Sequence, residues 1–335
     1  MLIIWVGAFA TSSLVVLLAS RGLVKAGDAI GERTGISRAF IGVLLLATAT
    51  SLPEVFTGAS AVAIVGSVDI AAGDIFGSNL FNLMIIALLD LSYRNQPILT
   101  SINPNLVRPA VLSILIIGMA ALFGALHHVG PSFPEWLFWL FTPALILSYV
   151  VAIFWLRKKD SLEAFEGTIE VESAPETGLR GPILLYLLSA TAIALAGLGL
   201  SYAGEQIAEL TGWGSSFVGS FFVALSTSLP EVGTSFAALR IGARDMAITN
   251  MLGSNMFNTG VVLFSDDLFY RTGHFLGSFS SAHLTTALIT LCMTLVIIVG
   301  MRIRPRRKTV GTVTPEVIAL LLLFVLAHYL VFVTG

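Results

Sequence analysis

The block TSLPE occurs twice in this chain, as residues 50–54 and as residues 227–231. A second block follows each copy, GSNLFN at 77–82 and GSNMFN at 253–258. The copies are 177 and 176 residues apart, so the two halves share one organisation. Because each TSLPE block carries a glutamate inside an apolar stretch, the repeat predicts an ion site within a membrane.

Composition indicates an integral membrane protein. Hydrophobic residues make up 56% of the 335 residues and charged residues only 11%, which is far from the balance of a soluble domain. A membrane-spanning helix needs about 20 mostly apolar residues. We therefore predict an all-α membrane protein with ten transmembrane helices, at approximately 2–20, 36–65, 70–92, 106–126, 135–156, 182–204, 214–239, 245–265, 281–301 and 315–333.

The distribution of Lys and Arg predicts the orientation of these helices. With the N-terminus outside, all 18 Lys and Arg residues except Arg271 fall in cytoplasmic segments. The C-terminus is then also outside, and each half has five helices. An odd number of spans makes the second half enter the membrane from the opposite face, so the repeats are expected to have inverted topology.

The predicted units are a first five-helix repeat at 1–156, a cytoplasmic linker at 157–181 and a second repeat at 182–335. The linker is rich in Glu but lacks the spacing of an EF-hand loop, which favours a solvated connector. The expected partners are the lipid bilayer and the transported cations, without a cofactor or nucleic acid. The predicted location is the cell (inner) membrane of a prokaryote.

Proline predicts a break in one helix of each half. The predicted helix 36–65 has a length of about 45 Å at 1.5 Å per residue, more than a hydrocarbon core of about 30 Å. Pro53 has no N–H to donate, and its ring pushes against the carbonyl of Ala49; Pro230 does the same to Ser226. Irregular backbone at this depth normally lines a cavity or a site.

Side-chain oxygens recur at helical spacing around these breaks. Each Glu follows a Thr by four residues, so hydroxyl and carboxylate share one helix face. The next helix of each half carries polar residues at i, i+4 and i+8, namely Asp74, Ser78 and Asn82, then Asn250, Ser254 and Asn258. Inversion would bring both faces together. Such oxygen ligands suit calcium or sodium, although single Ser and Asn residues often serve only as interhelical hydrogen-bond partners.

The paired TSLPE and GSN blocks resemble the α-repeats of the calcium/cation antiporter superfamily, and most closely those of prokaryotic sodium/calcium exchangers. The resemblance implies exchange of Ca²⁺ for Na⁺ by alternating access, with helices 1 and 6 sliding across the other eight. It implies that Glu54 and Glu231 bind calcium between them. The other candidate ligands for Ca²⁺ or Na⁺ are Thr50, Ser51, Thr227, Ser228, Ser78, Ser254, Asn82, Asn258, Ala47, Ala224 and Asp74.

Two departures from the family pattern leave the driving ion open. Asn258 stands where sodium/calcium exchangers commonly have Asp, and Asp74 stands where they usually have Asn. Asp74 is interpreted either as a vestibule charge one turn from the site or as a helix-start residue near the outer interface. Asp90 and Asp266 are interpreted as interfacial charges near span ends.

Three other function classes are weighed against sodium/calcium exchange. Antiport of Ca²⁺ or another divalent cation driven by H⁺ is the main alternative, because a buried Glu can take up a proton. A passive cation channel is weaker, because an inverted repeat with broken helices favours alternating access. An enzyme is not expected, because neither an HExxH motif nor a motif that pairs Ser with His is present.

Overall fold

The computed structural model describes residues 1–31, 47–93, 96–129, 135–164, 180–304 and 313–335, and this part of the chain is almost entirely helical. The main helices of the first half are α1 (Leu2–Gly31), α2 (Ala47–Thr50), α3 (Leu52–Ser60), α4 (Val68–Ser92), α5 (Val107–Val129) and α6 (Phe141–Ala164). Those of the second half are α7 (Arg180–Thr211), α8 (Ala224–Thr227), α9 (Leu229–Arg240), α10 (Arg244–Phe257), α11 (Leu263–Phe269), α12 (Ala282–Ile303) and α13 (Pro315–Thr334).

Shorter elements join or interrupt these helices. Single helical turns occupy Ile98–Ser101, Pro104–Leu106, Glu135–Phe138, Ser215–Phe217 and Phe275–Ser278. Segments of π-helix occupy Ala61–Val65, Val218–Val223 and Asn258–Val262. A π-helix holds one residue more per turn than an α-helix, so each segment rotates the side chains beyond it.

The predicted all-α membrane class is confirmed, whereas the count of ten spans is not. Eight helical stretches in the described part of the chain are long and apolar enough to cross a membrane. The predicted spans 214–239 and 245–265 are helical but fall outside that set, because breaks and polar side chains interrupt them. The start of predicted span 36–65 and most of the predicted linker 157–181 lie outside the described residues. The inverted orientation stays a prediction.

Helix α4 lies at the centre of the fold. It is buried at nearly every position between Ile70 and Asp90. Its first half packs into an apolar cluster with α6 and the Asn258–Val262 segment, and its second half packs with α10, α12 and α13. Polar residues of the first GSN block therefore lie deep inside the protein.

Helices α1 and α7 pack against each other at the edge of this core. Small residues face each other there: a Cβ on Gly199 would lie 2.4 Å from Ser12 Oγ, and one on Gly22 would lie 2.6 Å from Ser189 Oγ. Much of the rest of α1 is exposed, including Ile3. Close backbone approach through small residues is a common way for membrane helices to pair.

Both predicted helix breaks are present. Helix α2 ends at Thr50 and α3 begins at Leu52, and in the second half α8 ends at Thr227 and α9 begins at Leu229. The proline is the second residue of the new helix each time, where its missing N–H costs little. The glutamate comes next, in the first turn, where the positive end of the helix dipole favours a carboxylate.

Candidate ion-binding site

Glu54 and Glu231 are both fully buried and lie close enough to repel each other. Ser51 Oγ donates to Glu231 Oε1 at 3.2 Å, and Ser254 Oγ donates to the same oxygen at 3.4 Å. Thr50 adds a further side-chain hydrogen bond to this carboxylate. Hydroxyl groups of the first half therefore bind the glutamate of the second half.

Three of the four carboxylate oxygens have no hydrogen-bond partner within the described part of the chain. They are both oxygens of Glu54 and Oε2 of Glu231. A buried carboxylate without a hydrogen bond or a counter-ion costs several kcal/mol. The pair is thus a strongly negative, unsatisfied centre suited to a cation.

Asp74 lies next to this pair and links it to the second half. It is fully buried, and its Oδ1 accepts from Thr227 Oγ1 at 2.7 Å and from Ser78 Oγ at 3.5 Å. The two hydroxyls also lie 3.3 Å apart. The helix-start interpretation of Asp74 is wrong, because α4 begins more than a turn earlier, at Val68.

The asparagines of the two GSN blocks tie the halves together. Asn82 Nδ2 donates to Asn255 Oδ1 at 2.9 Å, and Asn255 Nδ2 donates to the carbonyl of Asn79 at 3.2 Å. Asn79 Nδ2 in turn donates to Thr259 Oγ1 at 2.9 Å. Asn79 and Asn255 were not among the predicted site residues, although their presence in both copies of the block was the available signal.

The remaining candidates divide into free and occupied groups. Both amide atoms of Asn258 and the hydroxyl of Ser228 are buried without a hydrogen-bond partner among the described residues. The carbonyls of Ala47 and Ala224 already accept the N–H of Ser51 and of Ser228, each at 3.0 Å. These two carbonyls are therefore engaged in the helix ladder and available to an ion only through their second lone pair.

Asp266 departs from its predicted place at a membrane interface. Its side chain is fully buried, and neither carboxylate oxygen has a hydrogen-bond partner in the residues that the structure describes. Asp90 is also buried, but its Oδ1 accepts from the backbone N–H of Ile98 at 2.5 Å. The interfacial interpretation is wrong for both, for reasons that differ between the two residues.

Comparison with known proteins identifies the family. The family model described as sodium/calcium exchanger protein matches residues 4–158 and again residues 181–335. The chain belongs to the sodium/calcium exchanger family. The two matched stretches are the two halves that the repeated blocks delimit, and the family assignment confirms a membrane cation antiporter rather than an enzyme.

Relatives and one solved structure agree with this assignment. The chain is 26% identical to the sodium/calcium exchanger MaX1 of Methanosarcina acetivorans, covering 74% of this chain and 78% of MaX1. It is 27% identical to the inner membrane protein YrbG of Escherichia coli, covering 75% of each. The solved sodium-calcium exchanger NCX_Mj has the same fold, with a TM-score of 0.63, 22% identity and coverage of 98% of both chains.

Proposed function

We propose that this protein exchanges Ca²⁺ for Na⁺ by alternating access at a site shared by Glu54 and Glu231. The observation that carries the proposal is the buried carboxylate pair, one glutamate from each half, with three of its four oxygens unpartnered among the described residues. The family membership and the printed names of MaX1 and NCX_Mj support calcium and sodium as the ions.

Charge balance favours a divalent cargo at this pair. Two unit charges about 5 Å apart repel each other by about 3 kcal/mol at an effective dielectric constant of about 20. One Ca²⁺ neutralises both carboxylates, and it accepts six to eight oxygen ligands, including carboxylates, carbonyls and amides. Sodium ions that bind the same oxygens would compete with calcium, which makes exchange the expected outcome.

The packing of α1 and α7 supports alternating access. This helix pair contacts the site helices through few polar links, among them Ser13 Oγ to Ser226 Oγ at 2.9 Å and Ser201 Oγ to the carbonyl of Thr57 at 2.7 Å. Both links attach next to a broken helix. We infer that α1 and α7 move as one body over the core and expose the site to one face at a time.

Proton-driven antiport is the second candidate, and Asp74 is the observation that favours it. A third buried carboxylate beside the glutamate pair is more negative charge than one Ca²⁺ neutralises. A buried carboxylate can compensate by binding a proton. Calcium would then leave the site as protons occupy it.

Calcium uptake into proteoliposomes tests these alternatives. The purified protein is reconstituted with either an outward sodium gradient or an outward proton gradient of similar size. Uptake driven by sodium supports the first proposal, and uptake driven only by protons overturns it in favour of the second. Uptake without either gradient, together with single-channel conductance, would overturn both.

Substitution of the glutamates tests the site itself. Glu54→Gln and Glu231→Gln should each abolish uptake while the protein remains monodisperse, because one carboxylate cannot neutralise Ca²⁺. Glu209→Gln is the matched control, since Glu209 is exposed near the end of α7. Full uptake by either buried-site variant would refute the assignment.

A further inference from the structure

The two halves differ by one residue in the stretch beyond the GSN blocks. Asp90 Oδ1 accepts from the N–H of Ile98, and Asp267 Oδ1 accepts from the N–H of Phe275 at 2.9 Å, in both cases eight residues further on. Asp267 is therefore the structural counterpart of Asp90. These two residues are 177 apart, whereas the asparagines that end the GSN blocks are 176 apart.

The π-helical segment Asn258–Val262 accounts for this extra residue. Helix α4 runs without interruption through the corresponding stretch of the first half. The insertion shifts the register, so Asp266 takes the position that Leu89 holds in the first half. Leu89 is buried in an apolar cluster, which makes Asp266 a carboxylate without a counterpart in the repeat. Single π-turns inside α-helices are often found at functional sites.

Asp266 lies directly against the helix that carries Glu54. A Cβ on Gly58 would lie 2.4 Å from Asp266 Oδ2 and 2.6 Å from Oδ1, so only glycine leaves room for this carboxylate. Gly58 lies four residues after Glu54, one turn along α3. Its counterpart in the second half is Ser235, whose Oγ accepts from Asn250 Nδ2 at 3.3 Å.

Asp74 is the neighbouring charge. It lies within electrostatic range of Asp266, and its Oδ2 is buried without a hydrogen-bond partner among the described residues. With the two oxygens of Asp266, three carboxylate oxygens are thus left unsatisfied. No basic side chain in the described part of the chain forms an ion pair with either aspartate.

We propose that Asp266 and Asp74 form a monovalent-cation site, separate from the glutamate pair, that binds a sodium ion. The inference rests on the proposed function for the identity of the ion. Three carboxylate oxygens are few for Ca²⁺, which takes six to eight, whereas a single added positive charge offsets much of the cost of burying these aspartates. The site lies on the side of the protein that the Lys and Arg distribution predicts to face outward.

Equilibrium binding of ²²Na⁺ to the purified full-length protein measures this site without requiring transport. Asp266→Asn should bind one sodium ion fewer per protein than the wild type, and Gly58→Ala should do the same because its methyl group displaces the carboxylate. Asp245→Asn is the matched control: it removes the same charge near the start of α10, where Oδ1 accepts from the N–H of Asn103. The control should retain the wild-type sodium count.

Two outcomes would overturn the proposal. One is an unchanged sodium count in Asp266→Asn or in Gly58→Ala, whichever folds. The other is loss of a bound proton, seen as reduced pH change on Ca²⁺ binding in unbuffered solution, with no change in sodium. Failure of the wild type to exchange Ca²⁺ in vesicles would instead overturn the proposed function, and the sodium count would still decide the role of Asp266.

Discussion

Gly77→Ala should both destabilise the protein and weaken ion binding. Gly77 lies where α4 crosses the π-helical segment Val218–Val223, and a Cβ there would lie 2.3 Å from the carbonyl oxygen of Ser220 and 2.8 Å from the Cβ of Ala224. Ordinary van der Waals contact begins at 3.4 Å, so the two backbones must separate by about 1 Å. The change cannot be absorbed by a rotamer, because the closest atom belongs to the backbone.

The magnitude depends on this separation. Overpacking of a dense core costs about 1 to 3 kcal/mol, and a backbone clash of this size lies in the upper part of that range. The Thr227 Oγ1 to Asp74 Oδ1 hydrogen bond joins the same two elements at 2.7 Å. A separation of about 1 Å would stretch it beyond the length at which a hydrogen bond is effective.

Thermal denaturation in detergent at one fixed scan rate, monitored by the fraction of monodisperse protein, is the assay. The control is Gly118→Ala, because a Cβ at Gly118 in α5 meets only Leu291 Cδ2 at 3.8 Å. We expect the control to match or exceed the wild type, since alanine favours a helix over glycine. A Tm for Gly77→Ala no lower than that of the control, together with unchanged calcium affinity, would refute the reasoning.

Two further changes separate binding from stability. Ser51→Ala removes one hydroxyl from Glu231 Oε1, and at about 1.5 kcal/mol for a hydrogen bond to a charged group it should raise the calcium concentration for half-maximal uptake about tenfold, while Ser148→Ala in α6 leaves it unchanged. Asp267→Ala leaves the N–H of Phe275 and the hydroxyl of Thr142 without their acceptor, so chemical or thermal denaturation should show a loss of about 1 to 3 kcal/mol. The sodium count of Asp267→Ala should equal that of the wild type, and a lower count would contradict the distinction drawn between Asp266 and Asp267.

The helix breaks and the buried oxygen cluster could be predicted from the sequence because their causes are local. Proline removes a backbone donor wherever it stands in a helix, and Thr and Glu four residues apart share a face by helix geometry alone. The number of apolar spans could not be predicted as well. The second-half helices that carry Glu231 and Asn258 are too polar and too interrupted to satisfy a criterion of length and hydropathy.

Asp266 was misplaced because a constant offset between the halves was assumed. At 176 residues it pairs with Asp90, and both then fall near the ends of predicted spans. A π-turn changes the offset by one residue and rotates the later side chains of the helix by roughly 100°, the angle per residue of a helix. Its cause is packing between helices, here the close approach of Gly260 to Tyr149 of α6, which no local sequence pattern reports.

The differences between the halves all alter charge on one side of the site. Asp74 replaces the counterpart of Asn250, Asp266 replaces the counterpart of Leu89, and Gly58 makes room for the second of these carboxylates. Perfectly equivalent halves would give the two access states of an inverted repeat the same energy. Two added carboxylates on the predicted outer side favour the state in which water reaches them, unless a cation binds first. Sodium entering from that side would therefore remove the penalty for closing it, which couples ion binding to the change of access.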